Sequence, residues 1–305
     1  MLNRIQRLQS VIGTDAGGRG MKELIVPGDL LRAAQAFVRC TTGALVILSG
    51  FPCCVDQTPP TETDGPPGAV AIGRAGIALG YPRVVLVTDD CNRDVFAAAC
   101  EGTQIELESF PSQFSVEDEA RLESLRNDAS LLVACERAGP SQNGKCYTMR
   151  GIDMNEKGLI APIHRLLENR SVPFIAVGDG GNELGMGKVF DKIVEHIPDG
   201  ERIGCSLAAD HLIAASVSNW GGYALAGAAA VVKSKTEADV QNWVNKCLPT
   251  ARDEIELLDR CVAVGCRDGV SGKMQATVDG MPLERSLLCL QQIHDTSLGL
   301  PVEGE

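Results

Sequence analysis

Short apolar runs alternate with stretches of helical spacing along most of this chain. The runs at 44–49, 84–88, 131–135, 174–177 and 205–208 read as buried strands, and 104–107 alternates as another. Helical patterns fall between them, over 69–79 (ended by Gly80), 94–100, 116–126, 160–169 and 214–232. Continuous apolar strands separated by helices predict an α/β fold. The expected form is a doubly wound, mostly parallel sheet with helices on both faces. No Pro/Gly/Ser-rich linker and no internal repeat divides the chain, so residues 1–305 read as one domain.

The two ends add to this frame. Residues 1–12 carry Leu2, Ile5, Leu8, Val11 and Ile12 at helical spacing with Arg4 and Arg7. They read as an amphipathic helix packed on the domain; a transit segment is normally longer and richer in Ser and Arg. From about 238 to 305 lies a C-terminal elaboration. It offers helices at 238–247 and 251–264, then a Gly-rich pair of short strands around 262–280.

Composition narrows the function. Hydrophobic residues make up 44% of the chain but aromatics only 4%, so aliphatic side chains and alanine must fill the core. The formal charge of −12 disfavours nucleic acid and anionic membrane surfaces as partners. No apolar run approaches the roughly 18–20 residues that span a bilayer. The twelve cysteines include no Cys-x-x-Cys pair, which argues against a zinc ribbon or thioredoxin-like centre and suits a reducing compartment. Cys53-Cys54 lies in a loop placed to line a site, but no histidine lies near in sequence to activate a nucleophile there.

Residues 178–187, Gly-Asp-Gly-Gly-Asn-Glu-Leu-Gly-Met-Gly, carry the strongest local signal. Glycines at half of ten positions suit backbone that turns sharply and approaches a ligand. Gly180 and Gly181 are the close-approach candidates, and Asp179, Asn182 and Glu183 the catalytic ones. The competing reading is a connection with solvated acids. In an open parallel sheet, ligands bind beyond the carboxyl ends of the strands. Other strands end there in Ser49-Gly50, a long loop with Glu62 and Asp64, Asp89-Asp90, Glu136-Arg137 and Asp210-His211. Together they outline a carboxylate-rich pocket with Asp210 as a further catalytic candidate, Ser49, Gly50, Glu62, Asp64 and His211 as substrate contacts, and Arg137 available for an anion. Asp89, Asp90, Asp179 and Glu183 offer oxygen ligands for a hard cation. Asp89-Asp90 equally suits a helix cap, His211 a buried hydrogen-bonded histidine and Arg150 an ordinary surface arginine. There is no phosphate-binding Gly-x-x-x-x-Gly-Lys-Ser/Thr loop, no dinucleotide glycine spacing and no Gly-x-Ser-x-Gly elbow.

Several motifs in order resemble the D-glutamate cyclase family, and within it the C-terminal domain of mitochondrial animal members. They are Asp15-Ala16-Gly17-Gly18-Arg19-Gly20, Ser49-Gly50-Phe51-Pro52, the 62–68 segment Glu-Thr-Asp-Gly-Pro-Pro-Gly, Met149-Arg150-Gly151, the 178–187 turn, and the Arg267-Asp268-Gly269 and Val278-Asp279-Gly280 turns. Ser49 stands where the family pattern has threonine, and Cys53-Cys54 is unusual in its loop. The resemblance implies a hydro-lyase that closes D-glutamate to 5-oxo-D-proline in the mitochondrial matrix, without an organic cofactor. The α-carboxylate then needs an arginine clamp, for which Arg137 and Arg150 are the candidates. The acids either share protons through split pKa values or hold Mg²⁺ or Mn²⁺ to polarise the γ-carboxylate. Two other classes stay open: an α/β enzyme for a phosphorylated or nucleotide ligand, and a non-catalytic amino-acid-binding domain. Oligomeric state stays open as well.

Overall fold

The computed structural model describes residues 1–301. Its centre is a six-stranded, all-parallel sheet of β1 (Ala44–Gly50), β2 (Val84–Asp89), β3 (Glu106–Phe110), β4 (Ala129–Arg137), β5 (Phe174–Gly178) and β6 (His211–Ala214). The strand order is β3-β2-β1-β4-β5-β6. The chain runs outward from β1 through β2 to β3, then crosses back to β4 and runs outward the other way. The order therefore reverses between β1 and β4, where an open α/β sheet leaves a crevice beyond its strand ends.

Helices cover both faces. They are α1 (Leu2–Ile12), α2 (Asp29–Arg39), α3 (Pro66–Leu79), α4 (Arg93–Cys100), α5 (Val116–Asp128), α6 (Phe190–His196), α7 (Gly200–Ile203), α8 (Ser218–Lys233), α9 (Glu237–Cys247), α10 (Ala251–Ala263) and α11 (Leu283–Leu298). Leu45, Ile47, Val133 and Val177 point to one layer, with α3 and α8 at its centre. Their alternates Val46, Leu48, Leu132 and Ala176 point to the other, covered by α5 and α6. This two-sided burial explains why the strands carry no polar alternation. Among the described residues no helix is long and apolar enough to cross a membrane.

The α3–α8 crossing sets the site. A Cβ added at Gly222 would lie 2.6 Å from the Gly68 carbonyl oxygen, so the helix backbones touch. That contact brings the N-termini of both helices together at the switch point. The Asn219 side-chain oxygen accepts the N–H groups of Gly65 and Gly68 at the start of α3.

Several elements depart from expectation. The third strand runs 106–110 rather than 104–107, and residues 160–169 hold only a 3₁₀ turn at Ile163–Leu167. The run at 205–208 is not a strand. Cys205 N–H bonds to Gly181 O, and Leu207 O accepts Gly187 N–H, so its backbone serves the Gly-rich turn. The true sixth strand starts at His211, and α8 starts at Ser218 rather than 214. The stretch 264–282 is a loop with two isolated bridges, Arg267 to Glu62 and Val278 to Met281, and α11 follows it unanticipated. Residues 302–305 of the expected C-terminal elaboration lie outside the described residues.

Candidate active site

The loop after β1 is long because it must pass over the crevice. Thr63 N–H bonds to Arg267 O and Arg267 N–H to Thr61 O, which zips this loop to the C-terminal one. Asp64 then turns inward. Its carboxylate accepts the N–H groups of Gly65, Ser218 and Asn219, so it sits on the N-terminus of α8. Those bonds favour the anion. Burial and the nearby Asp279 outweigh them, and the Asp64 pKa is pushed up to about 7.

Glu136, at the end of β4, has φ 45°, a left-handed conformation costly for a residue with a Cβ. Gly65 (φ 108°) makes room for it, since a Cβ there would lie 2.9 Å from Glu136 Cβ. The Glu136 carboxyl accepts from the Ser218 hydroxyl at 2.5 Å. Burial, then Glu183, Asp64 and Glu62, hold its pKa well above the usual carboxylate range.

Asp179 comes from the Gly-rich turn after β5. Arg19 Nη2 donates to Asp179 at 2.6 Å and to Asp279 at 2.5 Å, tying the N-terminal and C-terminal loops to that turn. Burial still pushes the Asp179 pKa well up, against the pull of Arg19. Glu62 is raised likewise by burial, then by Asp279 and Asp64. Five carboxyl groups therefore share one small volume, and they cannot all ionise together.

Four of them, Glu62, Glu136, Asp179 and Asp279, line a cavity of about 240 Å³ that also presents Arg19, Arg150, Asn182 and the apolar Phe51 and Met149. Carboxylate oxygens of Asp64, Glu136 and Asp179 lie within 4.8 Å of one another. Three hard oxygen donors at that spacing fit Mg²⁺ or Mn²⁺. A larger cleft of about 800 Å³ opens between α3 and α10, where Arg74 and Asp253 pair, and none of the five clustered acids lines it.

Several expected site residues lie elsewhere. Asp210 and His211 stand at the start of β6, the opposite end of the sheet. Asp210 is held by Arg170 and accepts Phe174 N–H at 2.8 Å, while His211 lines a surface depression beside Arg32. Asp89 and Arg137 form a fully buried ion pair, completed by Asn92, Ala161 N–H and the carbonyls of Gly50 and Ala161. Arg137 thus braces β1, β2 and β4 from inside, with both terminal nitrogens committed to the fold. Asp90 is exposed in a 3₁₀ turn. Ser49 donates to Cys135 O at 2.5 Å inside the sheet, next to its neighbour Gly50.

Glu183 reaches the cavity wall, yet its carboxylate is committed. One oxygen accepts the N–H groups of Asp179 (3.2 Å) and Gly180 (2.7 Å), the other that of Gly181 (2.7 Å). The Gly180 and Gly181 amides therefore face Glu183 rather than a ligand. The carboxylate oxygens that lie near enough to one another to share a cation are those of Asp64, Glu136 and Asp179, and Asp89, Asp90 and Glu183 are not in that group. Asn182 anchors to Tyr147 O at 2.7 Å, and Arg150 reaches the cavity from an exposed position.

Arg19, Glu136 and Asp279 were absent from the expected set. Arg19 and Asp279 lie some 260 residues apart and meet only through the fold. Glu136 carried a signal, a carboxylate directly after an apolar strand.

A family model described as "D-glutamate cyclase-like, C-terminal" matches residues 8–294. The human protein "D-glutamate cyclase, mitochondrial" is 36% identical over 314 aligned positions, covering 93% of this chain and 50% of the human one. The chain thus spans about half the length of that curated relative.

Proposed function

This chain belongs to the D-glutamate cyclase-like family, and on that premise we propose that it is a hydro-lyase closing D-glutamate to 5-oxo-D-proline. The observation that carries this reading is the buried carboxyl cluster Asp64–Glu136–Asp179, of which Glu136 and Asp179 line a cavity that also presents two arginines.

The reaction joins the α-nitrogen to the carbon of the γ-carboxyl group and releases one oxygen of that group as water. The ammonium must first lose a proton, and the departing oxygen must gain protons. Acids whose pKa values are split by burial and mutual repulsion supply both roles at neutral pH. In this reading Asp64, poised near 7, exchanges the proton, and the more strongly raised Glu136 holds one ready for the departing oxygen. Arg150, exposed at the cavity wall, binds the α-carboxylate, and Arg19 keeps Asp179 aimed inward. Holding amine and carboxyl together in a small cavity favours ring closure over escape.

D-Glutamate carries a net negative charge, so the acidic cavity must be neutralised before it binds. Protonation does this in part. Asp64, Glu136 and Asp179 would hold a divalent cation for the rest. Bound there, Mg²⁺ or Mn²⁺ would supply Lewis-acid polarisation of the γ-carboxylate. A phosphorylated ligand fits this charge poorly. By kinship with the mitochondrial relative, we assign the chain to the mitochondrial matrix.

The test is incubation with D- and L-glutamate, with Mg²⁺, Mn²⁺ or chelator, followed by chiral chromatography. Formation of 5-oxo-D-proline from the D-isomer supports the reading. D-Glutamate bound but unchanged under every condition would instead mark an amino-acid-binding domain.

A further inference from the structure

Beside the acidic cavity lie two adjacent thiols that the proposed reaction does not use. Cys53 and Cys54 lie in the loop after β1, with their sulfurs 3.9 Å apart and hydrogen-bonded. Cys53 borders the acidic cavity and also an outer depression of about 230 Å³; Cys54 borders only the outer one. On its inner side the Cys53 thiol faces the Glu62 carboxyl, and both lie against Gly269. A Cβ at Gly269 would come 1.9 Å from Glu62 Oε2 and 3.2 Å from Cys53 Sγ, so the C-terminal loop clamps this contact from above.

The two thiols differ in character. Cys54 is partly exposed, and Cys53, Arg267 and Arg150 pull its pKa down to about 7. A substantial thiolate fraction is then present at neutral pH, in a positively charged, accessible setting where cysteines react. Cys53 is pushed well up by the Cys54 contact and by burial, and keeps its proton. The other partly exposed cysteines, Cys40 and Cys91, are both raised and have no second sulfur beside them.

We propose that Cys53 and Cys54 form a modification site, at which a peroxide converts the two thiols into a vicinal disulfide and slows turnover in the adjoining cavity. The Cys54 thiolate attacks the peroxide O–O bond, giving a sulfenic acid and, after protonation, one water (from hydrogen peroxide). The Cys53 sulfur then attacks the sulfenic sulfur. It loses its proton, the S–O bond breaks, and a second water leaves. Two thiols are oxidised by two electrons in total, and one peroxide is reduced to two waters. Consecutive Cα atoms are about 3.8 Å apart, below the usual disulfide range of about 4.4–6.8 Å, so the ring is strained and readily reduced. Its formation draws the Cys53 sulfur, which borders the acidic cavity, from 3.9 Å to bonding distance of the Cys54 sulfur.

The protein is treated with hydrogen peroxide, digested and weighed, with no substrate present. The expected product is a peptide spanning residues 53 and 54 that is lighter by two hydrogens and restored by dithiothreitol. Cys54→Ser protein, checked for an unchanged melting temperature, should not form it. Wild-type turnover of D-glutamate should fall about tenfold on oxidation and recover on reduction, as expected when about 1.4 kcal/mol of positioning at the cavity wall is lost, while Cys54→Ser turnover resists. Free thiols at both positions after treatment, or stepwise oxygen addition at Cys54 without the disulfide, would overturn the proposal. Equal sensitivity of Cys54→Ser and wild type would overturn its link to the cavity. The mass measurement is independent of the proposed reaction, so a protein that forms the disulfide but leaves D-glutamate unchanged separates the two ideas.

Discussion

Glu183 holds Asp179 in place: its carboxylate accepts the Asp179, Gly180 and Gly181 amides and so closes the turn that presents Asp179 to the cavity. Charge-assisted bonds of this kind contribute roughly 1.5–3 kcal/mol each at most. Glu183→Gln keeps one acceptor oxygen but sets an NH₂ group against a backbone N–H. We expect turnover and stability to fall together, the latter by about 2–3 kcal/mol. Chemical denaturation alongside D-glutamate assays decides it, and an unchanged unfolding midpoint would remove Glu183 from the role of turn anchor.

Asp179→Asn and Glu136→Gln should behave differently. Both native acids are buried at the cavity with raised pKa values, so neutral amides cost the fold little. Turnover should fall about 10²–10⁴-fold. Asp210→Asn, at the other end of the sheet, is the control and should keep normal kcat. If Asp210→Asn were as inactive as Asp179→Asn, the site would be misplaced.

Stability should decline as pH rises above about 6.5. Asp64, Glu62, Glu136 and Asp179 have folded-state pKa values above their unfolded ones, so the folded state holds extra protons that are lost with rising pH. His164, lowered to about 4, acts in the opposite sense, but only between about 4 and its unfolded value of 6.5. Asp29 and Asp268 have lowered pKa values, and their contribution is complete above 3.8. From about pH 7 up to its unfolded value, Cys54 beside the cavity opposes the trend. Melting curves from pH 6.5 to 8 test this. A rising melting temperature across that range would contradict it. Mn²⁺ at pH 8 should reverse the loss in wild type and not in Asp64→Asn.

Breaking the Asp89–Arg137 pair should damage the fold rather than the chemistry. Both side chains are fully buried, so Arg137→Met leaves an uncompensated carboxylate. A loss of about 3–5 kcal/mol is expected, with the KM of the surviving folded protein near normal. A raised KM at unchanged stability would restore Arg137 to a substrate-binding role.

Much of the fold was legible in the chain itself. Strands at β1, β2, β4 and β5 must be apolar on both faces because helices cover both, and that continuous pattern survives in sequence. The glycine-rich turn was legible for a similar reason, since only such backbone leaves β5 so abruptly. The run at 205–208 misled because apolar character reports burial, not hydrogen-bond partners. That error moved Asp210 and His211 from the start of a strand to the end of one, and so to the wrong edge of the sheet.

The sequence by itself determined the α/β class, the buried strands and a carboxylate-bearing turn, because periodicity and glycine content are local properties. Only the tertiary structure decided which acids meet. Asp64, Glu136 and Asp179 converge because the strand order reverses between β1 and β4 and two helices cross at glycine contacts. Asp89, equally acidic and equally placed at a strand end, is instead consumed by Arg137. Convergence and ion pairing depend on distances between residues far apart in the chain, which local patterns do not encode.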